Sequence, residues 1–282
     1  MKTEEKEISL PEFVDVDVDI PSGYTQKNAI GIIIANRDYE HSDVGSVDYA
    51  FHDADIMKEY FKKVFGIPER SIYVIKNAKK SDFEMWFGTE REYRGRLYNL
   101  IRPGSKPSIY IYYTGHGAPD VETRSAYFVP VDAHPNYVGL NGYSLDLFYR
   151  NLSKLEAKEI NIIIDACFSG GSEKGMLIAR ASPLMVEPVR DIGLSEKLII
   201  ITATDKGEIA SWYPEKGHSL FTYYLLKALK GDADRNRDKM LTLKELKEYL
   251  RYEVRFKARN LYNRKQNPVV KGDLNKIFVK WR

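Results

Sequence analysis

Hydrophobic and β-branched residues recur along this chain in short, nearly uninterrupted runs, separated by segments whose apolar residues follow helical spacing. Five runs predict strands, at residues 29–35, 71–76, 108–113, 162–165 and 198–203. Runs that are apolar on both faces are typical of a parallel sheet with helices on each side. The pattern therefore predicts an α/β fold, a three-layer sandwich around a mostly parallel central sheet.

The segments between these strands predict the helices. Single helices are expected at 50–65, 145–155 and 219–229, and residues 81–101 are largely helical in pattern. Glycines at 88 and 95 weaken that last prediction, because glycine is a poor helix former.

The chain divides into three parts by pattern. Residues 1–27 form an N-terminal extension, in which alternating Val and Asp at 14–19 predict either an edge strand or an acidic prosegment. Residues 28–230 hold the main α/β domain. Residues 231–282 form a smaller C-terminal segment, and its apolar run at 277–279 predicts a closing strand.

Composition narrows the class of protein. The 282 residues carry a formal net charge of only +3, which favours neither a nucleic-acid partner nor a membrane surface. No apolar run reaches the length of a membrane-spanning helix. The N-terminus lacks the apolar core of a signal peptide, so a cytoplasmic location is expected, although a truncated sequence would leave secretion open. The single cysteine cannot form an intrachain disulfide, and nothing in the sequence indicates an oligomeric state.

Two of the predicted strands end in residues that carry chemistry. The run at 108–113 leads into Thr114-Gly115-His116-Gly117, and the run at 162–164 leads into Asp165-Ala166-Cys167. If these strands are parallel neighbours, His116 and Cys167 face each other across one crevice. A thiolate is the nucleophile of cysteine chemistry, and imidazole can activate the thiol and then protonate a leaving amine. The amides of Gly117 and Cys167 are candidates for an oxyanion hole. The alternative is that Cys167 is a small buried hydrophobe.

The two motifs resemble those of the caspase-like cysteine peptidases (clan CD, family C14), and most closely the metacaspase and prokaryotic caspase-like branch. Residues 112–117 are similar to the histidine motif, and residues 165–170 are similar to the nucleophile motif D-x-C-x-S-G. The histidine precedes the cysteine by about 50 residues, as in caspases. The resemblance covers roughly 28–230 and implies a caspase-like fold, a Cys–His dyad and cysteine endopeptidase activity on protein or peptide substrates.

Departures from caspases concern specificity. Caspases cut after Asp and line the pocket with Arg and Gln, whereas this chain has Asp165 at the Gln position and no Arg within 47–54. Asp53 matches the pocket aspartate of metacaspases, so the resemblance implies cleavage after Arg or Lys. Asp205 is a third acidic candidate, and Trp212 resembles an aromatic that walls the second substrate pocket. In the alternative interpretations, Asp53 is a helix-start or surface residue, Asp165 only orients the cysteine loop, and Trp212 is an ordinary aromatic.

A long connection at 172–197, punctuated by Gly and Pro, follows the cysteine motif. Loops of this length inside a domain are usually functional or mobile. In the family that the chain resembles, this linker is the place of activating self-cleavage. Its candidate sites are Arg180 and Arg190, followed by Lys174; the alternative is an uncut surface loop.

The C-terminal segment contains a run with the ligand spacing of an EF-hand loop. The candidate calcium ligands are Asp234, Asn236, Asp238, Thr242 and Glu245. Lys239 stands where glycine normally makes the sharp turn, so the loop is either a calcium site or a degenerate loop that keeps only the shape. The chemistry of a Cys–His dyad requires no cofactor, and calcium is the one regulatory ion that the sequence suggests.

The remaining histidines give no metal motif. His52 lies on a predicted helix and is expected to pack or to face solvent. His41, His134 and His218 lie near turns without cysteine or carboxylate at ligand spacing, so zinc is not expected.

Two other functions are compatible with the same motifs. One is a catalytically weak signalling scaffold, against which the retention of His116 and Cys167 argues. The other is an asparagine-directed peptidase or transpeptidase of the same clan, against which the acidic pocket residues argue.

Overall fold

The computed structural model describes residues 11, 13–120, 123, 125–172, 175–176, 188 and 195–282. Its strands, in chain order, are β1 (Ala29–Ala35), β2 (Ile72–Lys76), β3 (Ser108–Thr114), β4 (Gly117–Pro119), β5 (Ala126–Phe128), β6 (Tyr143–Ser144), β7 (Glu159–Asp165), β8 (Gly171–Ser172), β9 (Gly175–Met176), β10 (Leu198–Thr202), β11 (Trp212–Tyr213), β12 (His218–Ser219), β13 (Met240–Thr242), β14 (Val269–Lys271) and β15 (Ile277–Lys280).

The α-helices are α1 (Ala50–Lys63), α2 (Lys80–Phe87), α3 (Arg96–Leu100), α4 (Val138–Asn141), α5 (Leu145–Ser153), α6 (Leu220–Lys227) and α7 (Leu243–Tyr262). Short 3₁₀ turns lie at Glu69–Ser71, Pro135–Tyr137 and Pro214–Lys216, and α6 continues into a π-helical turn at Ala228–Asp232. Among the residues that the structure describes, no helix combines the length and the apolar character needed to cross a bilayer.

A six-stranded sheet forms the centre of the molecule, in the order β14-β10-β7-β3-β1-β2. Five of the strands pair in parallel, and β14 pairs antiparallel with β10 at one edge. The predicted α/β fold with a mostly parallel sheet is therefore confirmed.

The hydrophobic core lies in two layers, one on each face of this sheet. Successive side chains of a strand alternate between the faces, so Tyr112 joins the layer under α1, α6 and α7, whereas Ile111 and Tyr113 join the layer under α2 and α5. Because all seven residues of β1 and all seven of β3 are buried, both faces of the sheet are covered. The uninterrupted apolar runs of the sequence follow from this double burial.

The helix predicted at 81–101 is two helices. α2 ends before Gly88 and α3 begins after Gly95. Gly88 has a φ of 84°, and a side chain there would lie 2.4 Å from the carbonyl oxygen of Glu92. Only glycine accepts this backbone conformation and this close approach without strain, so the helix ends there.

The two ends of the chain differ from prediction in their pairing. Residues 14–19 form turns rather than a strand, with Val14 and Val16 buried against the α1 side of the core. The apolar run at 277–279 is a strand, but it pairs with β13, and the strand that closes the sheet is β14. Residues 231–282 thus supply one strand of the central sheet and the helix α7, so they do not form a separate appendage.

Candidate active site

The two chemistry-bearing motifs follow neighbouring strands in matched register. β3 and β7 pair in parallel, and their last residues, Thr114 and Asp165, are direct partners. His116 and Cys167 each lie two residues beyond these partners, so both emerge from the carboxyl edge of the sheet at the same level. This edge is where open α/β sheets place their ligands.

His116 and Cys167 line one partly open cavity of ≈ 30 Å³, about the size that holds a single water molecule. Both side chains are almost fully buried. The other lining residues, which come from strand ends and from the β11–β12 hairpin, are Val47, Thr114, Gly115, Asp165, Ala166, Ala210, Ser211, Trp212 and Ser219. The structure therefore brings together the two residues that sequence reasoning assigned to catalysis.

Hydrogen bonds fix the tautomer and the orientation of His116. Its Nε2 lies 2.7 Å from the carbonyl oxygen of Gly45, which can only accept, so Nε2 carries the proton. In the neutral ring Nδ1 is then the basic nitrogen, the one able to take a proton from a thiol. The backbone is held as well, since its N–H donates to the Tyr39 hydroxyl at 2.8 Å and its carbonyl accepts from the Tyr113 hydroxyl at 2.6 Å.

Gly117, a predicted oxyanion donor, lies next to the cysteine loop but is not among the described residues that line the cavity. Gly117 is opposite Phe128 in the β4–β5 pair, and the neighbouring N–H of Val129 donates to the carbonyl of His116. Gly117 is therefore at a non-hydrogen-bonded position of the ladder, with its N–H directed away from β5. A Cβ at this residue would lie 2.5 Å from the Phe168 ring and 2.6 Å from the carbonyl oxygen of Cys167, so the cysteine loop packs directly against it.

A buried asparagine ties the strand ends together. Asn36 follows β1, and its amide nitrogen donates to the carbonyls of Ala78 and Val129 at 3.3 and 3.0 Å. Its side-chain oxygen accepts from the Ala78 N–H at 2.7 Å, and its own N–H donates to Thr114 at 2.9 Å. One side chain thus joins segments that follow β1, β2 and β5 beside the His116 motif. No sequence signal indicated this role, because each of its partners is a backbone group.

Asp165 is a buried carboxyl group in the wall of the cavity. Its Oδ2 accepts from the hydroxyls of Ser219 and Thr222, the latter at 2.6 Å. Burial and the nearby charge of Asp53 raise its pKa to about 7, although these two hydrogen bonds oppose the shift. Ser219 was predictable only as the start of a helix: its hydroxyl also caps α6 by accepting from Thr222 N–H.

Asp53 is fully buried one hydrogen bond from the cavity wall. Its Oδ2 accepts from the N–H of Ser219 at 3.2 Å, and its Oδ1 lies 2.6 Å from Nδ1 of His218. Asp53 does not itself line the cavity. In the structure, a histidine side chain therefore occupies the position next to Asp53 that a cationic substrate group would need.

His218 is held between two carboxylates. Its Nε2 lies 2.9 Å from Oδ1 of Asp17, whose Oδ2 lies 3.0 Å from Nε2 of His52. Burial lowers the pKa of His218, but the hydrogen bonds and charges of Asp17 and Asp53 outweigh it and raise that pKa to about 9. His218, expected to have no carboxylate at ligand spacing, contacts two carboxylates, and His52, expected to pack or to face solvent, contacts Asp17. The partners are 35 to 201 residues apart in sequence, so no local spacing could reveal them.

The other predicted site residues are placed as follows. Trp212 lines the cavity, and its ring meets the Tyr49 ring edge-on at 5.6 Å. Asp205 is exposed and is not among the residues that line the cavity. The candidate self-cleavage residues Lys174, Arg180 and Arg190 lie outside the described residues.

The EF-hand-like loop is closed by hydrogen bonds of its own. Asp234 accepts from the N–H groups of Asp238 and Lys239 at 3.2 and 3.0 Å, and the carboxylate of Asp238 accepts from Asn236 and Met240.

The ligands predicted for the second half of the loop are engaged at the start of α7. Thr242 and Glu245 form a reciprocal capping box there. Lys239, at the position that usually holds glycine, has a φ of 62°. Among the described residues, the one group of three His, Cys, Asp or Glu side chains close enough to share a metal lies elsewhere, at Asp17, His52 and His218. Calcium binding by this loop therefore stays a prediction, with a calcium site and a degenerate loop as its two alternatives.

Comparisons with known proteins agree with this geometry. The sequence model of the family described as "Caspase domain" (peptidase C14) matches residues 28–279. Among solved structures, caspase-1 from Spodoptera frugiperda superposes with a TM-score of 0.58 at 14% identity, covering 93% of each chain. That similarity concerns the fold alone. No curated protein sequence matches the chain.

A cysteine and a histidine that share one cavity at the carboxyl edge of a parallel sheet are the arrangement of a thiol-dependent hydrolase. The chain belongs to the caspase domain family, peptidase C14, and it is a cysteine peptidase. The family match also covers residues 231–279, in agreement with the incorporation of β14 and α7 into the domain.

Proposed function

We propose that this protein is a cysteine endopeptidase that cleaves after Arg or Lys, with Cys167 and His116 as its catalytic dyad. The observation that carries the proposal is the buried Asp165 carboxyl in the wall of the cavity that His116 and Cys167 share. No Arg or Lys is among the described residues that line this cavity, so nothing there would pair with an aspartate of a substrate. A guanidinium or ammonium group is the natural partner of such a site.

Asp53 is a second buried acidic residue, and it lies behind the residues that line the cavity. It contacts Ser219 N–H, and Ser219 in turn contacts Asp165, so the two carboxyl groups are joined through one residue. Ser211 adds a hydroxyl to the cavity wall that has no hydrogen-bond partner among the described residues. A bound peptide would supply that partner, because a buried polar atom without one is costly.

The cavity has to enlarge before a substrate side chain can enter. At ≈ 30 Å³ it has about the volume that one water molecule needs, far less than an arginine side chain. The Asp53–His218 contact must also be replaced if Asp53 is to meet a substrate cation.

The chemistry requires only groups of this chain and water. Nδ1 of His116 takes the thiol proton of Cys167, and the sulfur attacks the scissile carbonyl carbon. The N–H groups of Gly117 and Cys167 stabilise the negative oxygen of the tetrahedral intermediate. The imidazolium then gives its proton to the leaving amine, and the C–N bond breaks. Water, deprotonated by His116, hydrolyses the thioester and restores the thiol.

A panel of fluorogenic peptides with Arg, Lys, Asp or Asn before the reporter tests the proposal. We expect hydrolysis of the Arg and Lys peptides, loss of it in Cys167→Ala, and a fall of about 10- to 100-fold in kcat/KM for Asp165→Asn, the loss expected from one charge-assisted contact. Asp205→Asn is the matched control, since it removes an acidic group outside the cavity. Preferential hydrolysis of the Asp or Asn peptide would overturn the specificity. No hydrolysis at all, with Cys167 unreactive to thiol-directed labels, would favour the scaffold.

Self-processing is a second part of the proposal. The connection at 172–197 contains basic residues, so a peptidase that cleaves after Arg or Lys could cleave its own chain after Arg180, Arg190 or Lys174. Mass spectrometry of the wild-type protein beside Cys167→Ala tests it. We expect cleavage after one of these residues in the wild type only, and an intact wild-type chain under conditions of full peptidase activity would contradict it.

A further inference from the structure

A cluster of two histidines and one aspartate lies beside the proposed active site. His52 on α1 and His218 on β12 each direct Nε2 at a different oxygen of Asp17, at 3.0 and 2.9 Å. The ligand atoms of these three residues all lie within 4.8 Å of one another. His218 is fully buried, and the side chains of Asp17 and His52 are 17% and 19% exposed, so the cluster is largely closed but reachable from solvent.

We propose that Asp17, His52 and His218 form a binding site for a divalent transition metal, with zinc as the best match. Zinc is commonly bound by imidazole nitrogen and carboxylate oxygen, and three protein ligands leave a fourth position for water. Two ligands at about 2.0–2.1 Å from a tetrahedral zinc lie roughly 3.4 Å apart. The nitrogen–oxygen distances observed in the cluster are shorter by only a few tenths of an ångström, so small movements would admit the ion.

The surroundings of His218 support a metal ligand rather than an ordinary ion pair. Its Nδ1 lies 2.6 Å from Asp53 Oδ1, and Asp53 is fully buried. Metal-binding histidines usually donate their second ring N–H to a carboxylate, which orients the ring and makes the other nitrogen a better donor. Asp53–His218 therefore supplies the outer partner of a carboxylate–histidine–metal arrangement. On binding, the metal takes the lone pair of each Nε2. His218, whose two nitrogens both contact carboxylates, releases its Nε2 proton to solvent, and the neutral His52 ring keeps its proton on Nδ1.

Each ligand comes from a different part of the fold. Asp17 lies in the N-terminal segment 13–20, His52 in the first turn of α1, and His218 directly before Ser219, which lines the active-site cavity. A bound ion would join these three parts and keep His218 on Asp53. If the proposed specificity is correct, metal binding keeps Asp53 away from a substrate cation and inhibits hydrolysis of Arg and Lys peptides. The binding itself does not depend on that specificity.

Cobalt(II) and zinc(II) binding to the full-length Cys167→Ala protein tests the site without the thiol. We expect one Co²⁺ per chain, with visible d–d bands and no thiolate charge-transfer band. Zinc should displace the cobalt in competition with a chromophoric chelator. Asp53→Asn should weaken binding by about 10- to 100-fold, as expected for loss of an outer partner. Asp17→Ala and His52→Ala should weaken it further.

Matched controls make the test decisive. His41 and His134 form another histidine pair, with ring centroids 4.1 Å apart, outside the proposed site. His134→Ala should leave the affinity unchanged. Because His218 is buried and its replacement could unfold the protein, the two partly exposed ligands carry the test. Unchanged affinity in both Asp17→Ala and His52→Ala, an equal loss in His134→Ala, or no stoichiometric binding to Cys167→Ala would each overturn the proposal. In the wild type, inhibition by zinc tests the consequence for activity separately.

Discussion

Two regions of this chain carry motifs with recognisable spacing, and the fold treats them differently. The His116 and Cys167 motifs follow paired strands, and the parallel register of Thr114 with Asp165 forces the two side chains into one cavity. In the EF-hand-like loop at 234–245, only Met240–Thr242 pair with another strand, β15, so no sheet register fixes Asp234, Asn236 and Asp238. Its carboxylates satisfy the loop's own N–H groups and cap α7 instead. Spacing predicts a site more securely when a sheet fixes the positions of both motifs.

The largest expected effect breaks the strand-end site itself. His116→Ala removes the general base, so we expect kcat/KM for a cleaved peptide to fall by about 10²- to 10⁴-fold. His134→Ala is the control and should keep wild-type activity, because His134 lies outside the cavity. Activity in His116→Ala within a few-fold of the wild type would show that another group activates Cys167.

A smaller change tests how closely the two motifs are packed. In Gly117→Ala the new Cβ would lie 2.5 Å from the Phe168 ring, so the cysteine loop has to move. A displacement near 1 Å can cost about 10²-fold in rate, and we expect a loss of that order in kcat. Circular dichroism must confirm a folded protein. Gly104→Ala is a control for backbone strain away from the site: Gly104 has a φ of 75° and nothing within 4 Å, so alanine there should lower stability but not kcat. Unchanged kcat would show that Gly117 does not set the position of the loop.

The pH dependence of cation binding sharpens the assignment of Asp165. Its pKa in the folded protein is about 7, above the usual aspartate value of 3.8, because burial disfavours the charged form. The stability that the protonated group contributes is therefore lost as the pH rises from about 4 to about 7. A guanidinium ligand that binds only the ionised form should gain roughly 100-fold in affinity from pH 5 to pH 8. Agmatine binding to Cys167→Ala, followed calorimetrically, measures this gain. Asp165→Asn should flatten the profile; an equally steep profile in that variant would contradict the assignment of the titration to Asp165.

The smallest effect concerns the loop. Lys239 has a φ of 62°, a conformation that costs a non-glycine residue about 1–2 kcal/mol. Glycine removes this strain but adds about 0.4–1 kcal/mol of unfolded-state entropy. We therefore expect Lys239→Gly to raise Tm by about 1–3 °C, whereas Lys244→Gly inside α7 should lower it.

Calcium completes the test of the loop. Because the loop satisfies its own polar groups, calcium should leave the Tm of the wild-type protein unchanged. A calcium-dependent rise in Tm would restore the metal-site alternative for this loop. If the rise occurs only in Lys239→Gly, the missing glycine is what separates the loop from a working EF-hand.

How far the sequence predicted the molecule depended on whether the relevant signal was local. The strands, the sheet type and the meeting of His116 with Cys167 followed from apolar periodicity and strand ends. The split of the helix at 81–101 depended on a contact between Gly88 and Glu92 that periodicity does not encode. The sequence predicted that residues 277–279 close the sheet, but β14 does so, and residues 277–279 pair with β13. The apolar pattern of a run predicts a strand but does not specify the strand with which it pairs.

The candidate site was predictable only in part, for the same reason. Cys167, His116 and Asp165 stand in motifs, whereas the partner of the His116 ring is a backbone carbonyl at Gly45. The Asp17–His218 contact joins residues 201 positions apart, and the sequence around His218 does not indicate this partner. Backbone acceptors and distant ion pairs are properties of the folded chain.

The amide of Asn36 has a mechanical consequence for substrate entry. Its hydrogen bonds hold Ala78, Val129 and the end of β1 together, so the His116 side of the crevice is rigid. The opposite side of the crevice consists of Ser211 and of Trp212 and Ser219 on the β11–β12 hairpin. The two strands of this hairpin form only two residue pairs. If the crevice opens, we expect the movement on the hairpin side, where entry of a peptide would have to break the contacts of Ser219 with Asp53 and Asp165.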